Sequence, residues 1–160
     1  MLIFRSKKDL IEFAEVDFVE AEFLRQIPGL CDSSGDPKVE ERFYSDPADP
    51  SETQLLNDWA EFVKPDLRHL FASARKLVEN DLQKLTQTEL AHLSVPLKHG
   101  DAWLNTLNQA RLNLATRYEF TDMELSSVEI PKLTSRRDLA LHQINFYAAI
   151  QERIIDALNG

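Results

Sequence analysis

The sequence is short of several things that protein chemistry commonly needs. Its single cysteine, Cys31, excludes an internal disulfide and any multi-thiolate zinc site. Four glycines leave little material for a phosphate cradle, and no Gly-rich phosphate loop, G-x-S-x-G or H-E-x-x-H motif occurs. The histidines are His69, His92, His99 and His142, and no two stand at i, i+3 or i+4, so no helical metal pair exists. No stretch approaches the ~20 consecutive apolar residues that span a bilayer. The opening MLIFRSKKDLIEFAE lacks the form of a signal peptide, because charge interrupts a short apolar run. A cytoplasmic location is therefore expected, with no membrane partner and no cofactor.

Positive charge is also scarce. Against 27 acidic residues stand 18 Lys and Arg, a formal net charge of −9. The imbalance is local: residues 1–60 carry 14 acids and 6 bases, and residues 61–160 carry 13 and 12. Nucleic-acid binding draws on basic patches that displace counterions from phosphates, so this balance argues against it. An acidic half solubilises the chain and also suits a basic partner. At 160 residues and 43% hydrophobic, the chain fits one domain, 1–160, with its own core.

The punctuation of the chain predicts its elements. Leu2–Arg5 and Leu10–Phe13 flank the polar turn Ser6-Lys7-Lys8-Asp9, a hairpin that must pack on something else. Asp17 caps a first helix over about 17–27, which Pro28-Gly29 should stop. A loop-rich insertion covers about 28–50, with a short helical turn at Lys38–Tyr44 pinned by Phe43 and Tyr44. Ser51-Glu52-Thr53-Gln54 has capping-box form and starts a helix to about Val63. Pro65 should break it and open the third helix, Pro65–Leu85. Leu90–Leu97 reads as extended and able to join the hairpin. A fourth helix covers Lys98–Tyr118. Thr121-Asp122-Met123-Glu124 is another capping box, Pro131 breaks the chain, and Thr134 or Ser135 caps a last helix to Leu158.

Helical phasing at 100° per residue singles out polar residues on apolar faces. With Trp103 at 0°, Arg111 falls at about 80° among Leu104, Leu107 and Leu114, and Asn108 borders that stripe at about 140°. Asp81 lies among Leu67, Phe71, Ala74, Val78, Leu82 and Leu85. Glu20 joins Ala21, Phe23, Leu24 and Ile27. Gln143 lies among Leu139, Phe146, Ile150 and Ile154. An isolated buried charge is costly, so such residues are normally paired. One internal cluster is expected, with the planar Arg111 fork bridging Asp81 and Glu20, and Asn108 and Gln143 completing the hydrogen bonds. Fixing helix register is the structural role of such a cluster, and a ligand site the functional one.

Other candidates read as structural. Trp59, Phe62 and Val63 share a face with Leu55 and Leu56, which suggests core rather than an exposed partner groove. Cys31 has no basic cluster to activate it. Glu40-Glu41 lies in a loop-rich segment where solvated charge is the default. His69 falls opposite an apolar face and His142 at the border of one.

The segment from Ala102 to Arg117, AWLNTLNQARLNLATR, resembles the W-L-x-x-L-N-x-x-R-L-x-L-x-x-R segment of the bacterial domain-of-unknown-function family two thousand and seventeen. Glu20–Leu24, Arg42-Phe43-Tyr44, Asp58-Trp59 and Asp81-Leu82 resemble further pieces in the same order, so the likeness covers most of the chain. It implies a small, mainly helical bacterial protein with no assigned activity and no catalytic residues to carry over. Members often lie near the gene for the Clp-protease adaptor, which points toward protein quality control. Asn108, Arg111 and Arg117 occupy matching positions.

Taken together, a mainly α, single-domain bundle of four main helices is expected, with shorter helices and a small N-terminal β-hairpin. The leading functional expectation is a non-catalytic protein-interaction or adaptor domain, whose partner is another protein. The alternative is a binder of a small anionic ligand, or an enzyme, using the Arg111 region. Self-association into a homo-oligomer is a third course.

Overall fold

A hairpin of β1 (Leu2–Arg5) and β2 (Leu10–Val16) opens the chain. Asp9 makes its turn with φ 55°, a left-handed value that Asp tolerates better than bulkier residues. The structure is a computed structural model describing residues 1–46, 49, 51–127 and 132–160. The expected break at Pro131 and the turns at Pro47 and Pro50 lie outside the described residues.

β3 (Ala91–Pro96) joins the hairpin antiparallel to β2, giving the order β1-β2-β3. Ile11 faces Val95 and Phe13 faces Leu93, and all four are buried. Alternation alone would turn Val16 outward, since it stands an odd number of positions, three, beyond Phe13. A register shift between Phe13 and Val16, with Glu15 at φ 54°, restores Val16 to the core.

α1 (Phe18–Leu30) starts where expected but ends later. Its capping box pairs Asp17 with Glu20: each side chain accepts the other's backbone N–H at 2.9 Å. The helix runs through Pro28, which is itself buried. Proline costs a helix one N–H bond, but here it sits in the last turn, packed in the core. Asn113 Nδ2 donates to the Leu30 carbonyl at 2.7 Å and satisfies an oxygen that the helix end leaves open. α2 (Pro37–Phe43) is capped by Asp36. Its Val39 and Phe43, with Tyr44, form a second small core against Leu67, Phe71 and Leu112.

Pro65 does not break the chain. α3 (Thr53–Asp58) leads directly into a π-turn at Trp59–Val63 and then into α4 (Lys64–Leu82). The Lys64 N–H reaches back five residues to the Trp59 carbonyl. Widening the helix by one residue just before Pro65 accommodates the missing N–H without ending the helix. The capping box at Ser51 is also not formed. Glu52 is the residue before α3 and makes no side-chain cap, while the Ser51 N–H bonds Asp49 Oδ1 at 3.0 Å.

A 3₁₀ turn (Leu97–His99) precedes α5 (Gly100–Arg117). α6 (Asp122–Ser126) has the expected Thr121–Glu124 capping box. Ser135 caps α7 (Arg136–Asn159), its Oγ accepting the Asp138 N–H. The chain is therefore mostly helical, with a three-stranded sheet. It differs from a plain four-helix bundle because the sheet supplies the same core as the helices. α5 is the central element and touches α1, α2, α4 and α7. Around it, Trp103, Leu107, Ala110 and Leu114 meet Ile11, Phe13, Leu24, Ile27, Val78, Tyr147 and Ile150.

Candidate functional site

The expected ionic cluster resolves into separate, locally satisfied groups. Glu20 serves the α1 capping box and lies 3.4 Å from the N-terminal ammonium of Met1. Asp81 is buried near the end of α4, 2% exposed. Its carboxylate accepts the Trp103 indole N–H at 2.9 Å and His99 Nδ1 at 2.9 and 3.1 Å. Three elements converge there: α4 brings the carboxylate, the 3₁₀ turn the imidazole and α5 the indole. Such a bond holds the turn onto both helices and fixes where α5 begins.

Arg111 has no carboxylate within ion-pair distance among the described residues. It is half-buried, donates from one terminal nitrogen to Gln151 Oε1 at 2.7 Å, and has a buried Nε without a partner among those residues. Gln151 Nε2 in turn donates to the Leu104 carbonyl at 3.1 Å, so the pair ties α5 to α7. Burial lowers the affinity of the Arg111 guanidinium for its proton, as desolvation does to any cation. Asn108 is exposed. Gln143 belongs to another network: its Nε2 donates to Gln26 Oε1 at 2.9 Å and Tyr147 Oη at 2.7 Å, while Tyr147 donates to the Phe23 carbonyl at 2.6 Å.

The arrangement of α5 explains the correction. Thr106, Gln109 and Asn113 are buried beside the apolar stripe, on the side away from Arg111 and Asn108. The inward face is rotated toward these polar residues, two of which bond neighbouring backbone. Thr106 Oγ1 donates to the Ala102 carbonyl and Asn113 Nδ2 to Leu30. Sequence hydrophobicity counts such residues as outward-facing.

α3, the π-turn and the first turns of α4 form a continuous helical arm. Leu55, Phe62, Val63 and Leu70 are exposed, at 54%, 61%, 41% and 51%, and α3 and the π-turn bury no residue. Of the face read as core, Leu55, Phe62 and Val63 are open to solvent, while Leu56 and Trp59 are half-buried. Trp59 has a buried indole N–H lacking a partner among the described residues. Residues 52–70 carry four acids, Glu52, Asp58, Glu61 and Asp66, against two bases, Lys64 and Arg68, and Arg68 is ion-paired with Glu40. Lys64 stands 5.9 Å from the Tyr44 ring centroid, where its charge is partly engaged.

Cys31 is buried, and its Sγ donates to the Ile27 and Thr106 carbonyls. Burial pushes its thiol up to about 12, which leaves it a weak nucleophile. Among the described residues, no helix is long and apolar enough to cross a membrane. No curated protein and no solved structure matches the chain. One family model does match, over residues 4–158, and the chain therefore belongs to the family described as "Domain of unknown function (DUF2017)".

Proposed function

We propose that the protein is a non-catalytic interaction module that binds another protein through the α3–α4 arm. The observation that carries this reading is the exposure of Leu55, Phe62, Val63 and Leu70 on a helical segment that buries none of its residues before α4. Large apolar side chains gathered on a solvent-facing segment favour removal from water by a partner. The acidic surroundings favour one kind of partner: an amphipathic segment with basic residues around an apolar stripe. The gene neighbourhood implied by the family resemblance directs the search to protein quality control, in an adaptor or regulatory role.

The test uses a photo-crosslinking amino acid at position 62 in cells, with a second at Arg117, on exposed surface elsewhere, as control. The expected result is one protein cross-linked from position 62 and not from 117, through a segment of net positive charge. A synthetic peptide of that segment should shift Trp59 fluorescence, bind more weakly as salt rises, and lose affinity for Phe62→Asp. Adducts confined to a second copy of the chain, or an acidic contact segment, would overturn the proposal.

A further inference from the structure

A cleft of about 520 Å³ opens on a different face, between the loop after α1, α2, α4 and α5. Its size lies within the range of small-molecule sites. Arg68, Phe71 and Arg75 line it from one face of α4, at the i, i+3, i+7 spacing that aligns side chains along a helix. Gln109 lines it from α5, and Tyr44 from the end of α2.

The charges in this cleft are unequally used. Glu40 is ion-paired with Arg68 and accepts the Ser33 hydroxyl at 2.5 Å. Arg68 also lies over the Tyr44 ring, 4.4 Å from its centroid. Asp32 accepts the Ser34 N–H at 3.0 Å, and these Ser34 bonds hold its carboxyl below the usual range. Both acids are therefore already bonded. Arg75 is half-buried yet makes no hydrogen bond or ion pair among the described residues; it acts on Asp32 only through space. Gln109 is 5% exposed, and its Nε2 is buried without a hydrogen-bond partner among the described residues. Buried amide donors are normally satisfied, so this one marks an incomplete polar arrangement.

We infer that this cleft is a binding site for a small oxyanion with an apolar body, held by the Arg75 guanidinium and the Gln109 amide. Both residues offer donors that the protein leaves unspent, and a planar guanidinium grips a carboxylate or phosphate through two parallel bonds. The apolar body lies against Tyr44 and Phe71. Cys31 forms part of the lining but takes no chemical part, since its thiol stays protonated and donates to backbone. The site is independent of the α3–α4 arm reading.

The experiment is an NMR titration of the full chain with benzoate, with phenyl phosphate and with neutral benzyl alcohol. It follows the Gln109 side-chain amide and the Arg75 Nε–H signals. The expected result is a saturable shift of both signals with at least one anion and none with the alcohol. Which anion binds more tightly distinguishes a carboxylate from a phosphate ligand. Arg75→Gln should weaken binding by about tenfold or more while shifting the unfolding midpoint little, since Arg75 makes no hydrogen bond or ion pair among the described residues and meets Asp32 only through space. Arg75→Lys keeps the charge without the fork and should fall between the two. The inference is overturned if neither anion shifts these signals at millimolar concentration, or if Arg75→Gln binds as the wild type does.

Discussion

Replacing Asp81 tests the largest claim about what holds α4, the 3₁₀ turn and α5 together. Asp81→Ala removes the acceptor of a Trp103 N–H whose side chain is 0% exposed, so that donor is left unsatisfied at a cost of about 1–3 kcal/mol. The His99 bond to the same carboxylate adds less, because the imidazole is 20% exposed and recovers water. Relief of the desolvation of the carboxylate offsets part of the sum. A net loss of about 1–3 kcal/mol follows, or a fall in Tm of roughly 2–12 °C for a chain of this size. Urea unfolding of Asp81→Ala, Trp103→Phe and the double variant gives the coupling directly. A hydrogen bond to a charged acceptor predicts about 1.5–3 kcal/mol of coupling. Asp81 and Arg111 should instead be additive, because Arg111 lies eight residues beyond Trp103, ~12 Å along α5, and shares no partner with it. A coupling below about 0.5 kcal/mol between Asp81 and Trp103, or a large one between Asp81 and Arg111, refutes the reasoning.

Glu124 is held down at about 2, first by its hydrogen bond from Arg137, so in the folded chain its carboxyl should titrate near that value and return toward 4.5 in Arg137→Met, as read by ¹³C NMR. A depressed folded value means that the contribution of Glu124 to stability is present above its unfolded value and is lost as pH falls from about 4.5 through about 2. Cys31 should resist a thiol reagent at neutral pH in the native state, because its thiol stays protonated and nearly buried in the cleft wall, so fast labelling of folded protein would contradict its burial. Tyr147→Phe removes the hydroxyl that joins Gln143 to the Phe23 carbonyl, and should cost about 1–2 kcal/mol in chemical denaturation without altering the fold's circular dichroism.

Local signals in the sequence predict local structure well and tertiary pairing poorly. Asp17, Thr121 and Ser135 mark true helix starts because a cap is settled within four residues, whereas Ser51, read by the same rule, does not cap α3. The alternation Leu93, Val95 reads as a strand because its buried face repeats every second residue. Pro28 and Pro65 mislead for one reason: each loses a single N–H bond, and nearby packing or a π-turn absorbs that loss. Neither the Asn113 bond to Leu30 nor the turn at Trp59 has a pattern in the linear chain.

The polar cluster shows the same division at the level of chemistry. Phasing finds that Asp81 stands on an apolar face, because only its own helix is needed. It cannot find that His99 and Trp103, rather than Arg111, supply the donors, because these arrive from a turn and from another helix. The central position of α5 has a further consequence. A helix touched by four others must bury more than one stripe, so its polar residues at Thr106, Gln109 and Asn113 turn inward and Arg111 is carried to the border. Two of those three find backbone acceptors, while the Gln109 Nε2 does not. That asymmetry is why the anionic-ligand reading attaches to the Gln109 and Arg75 cleft. Arg111 already has Gln151 to bond, whereas Arg75 has no bonded partner among the described residues.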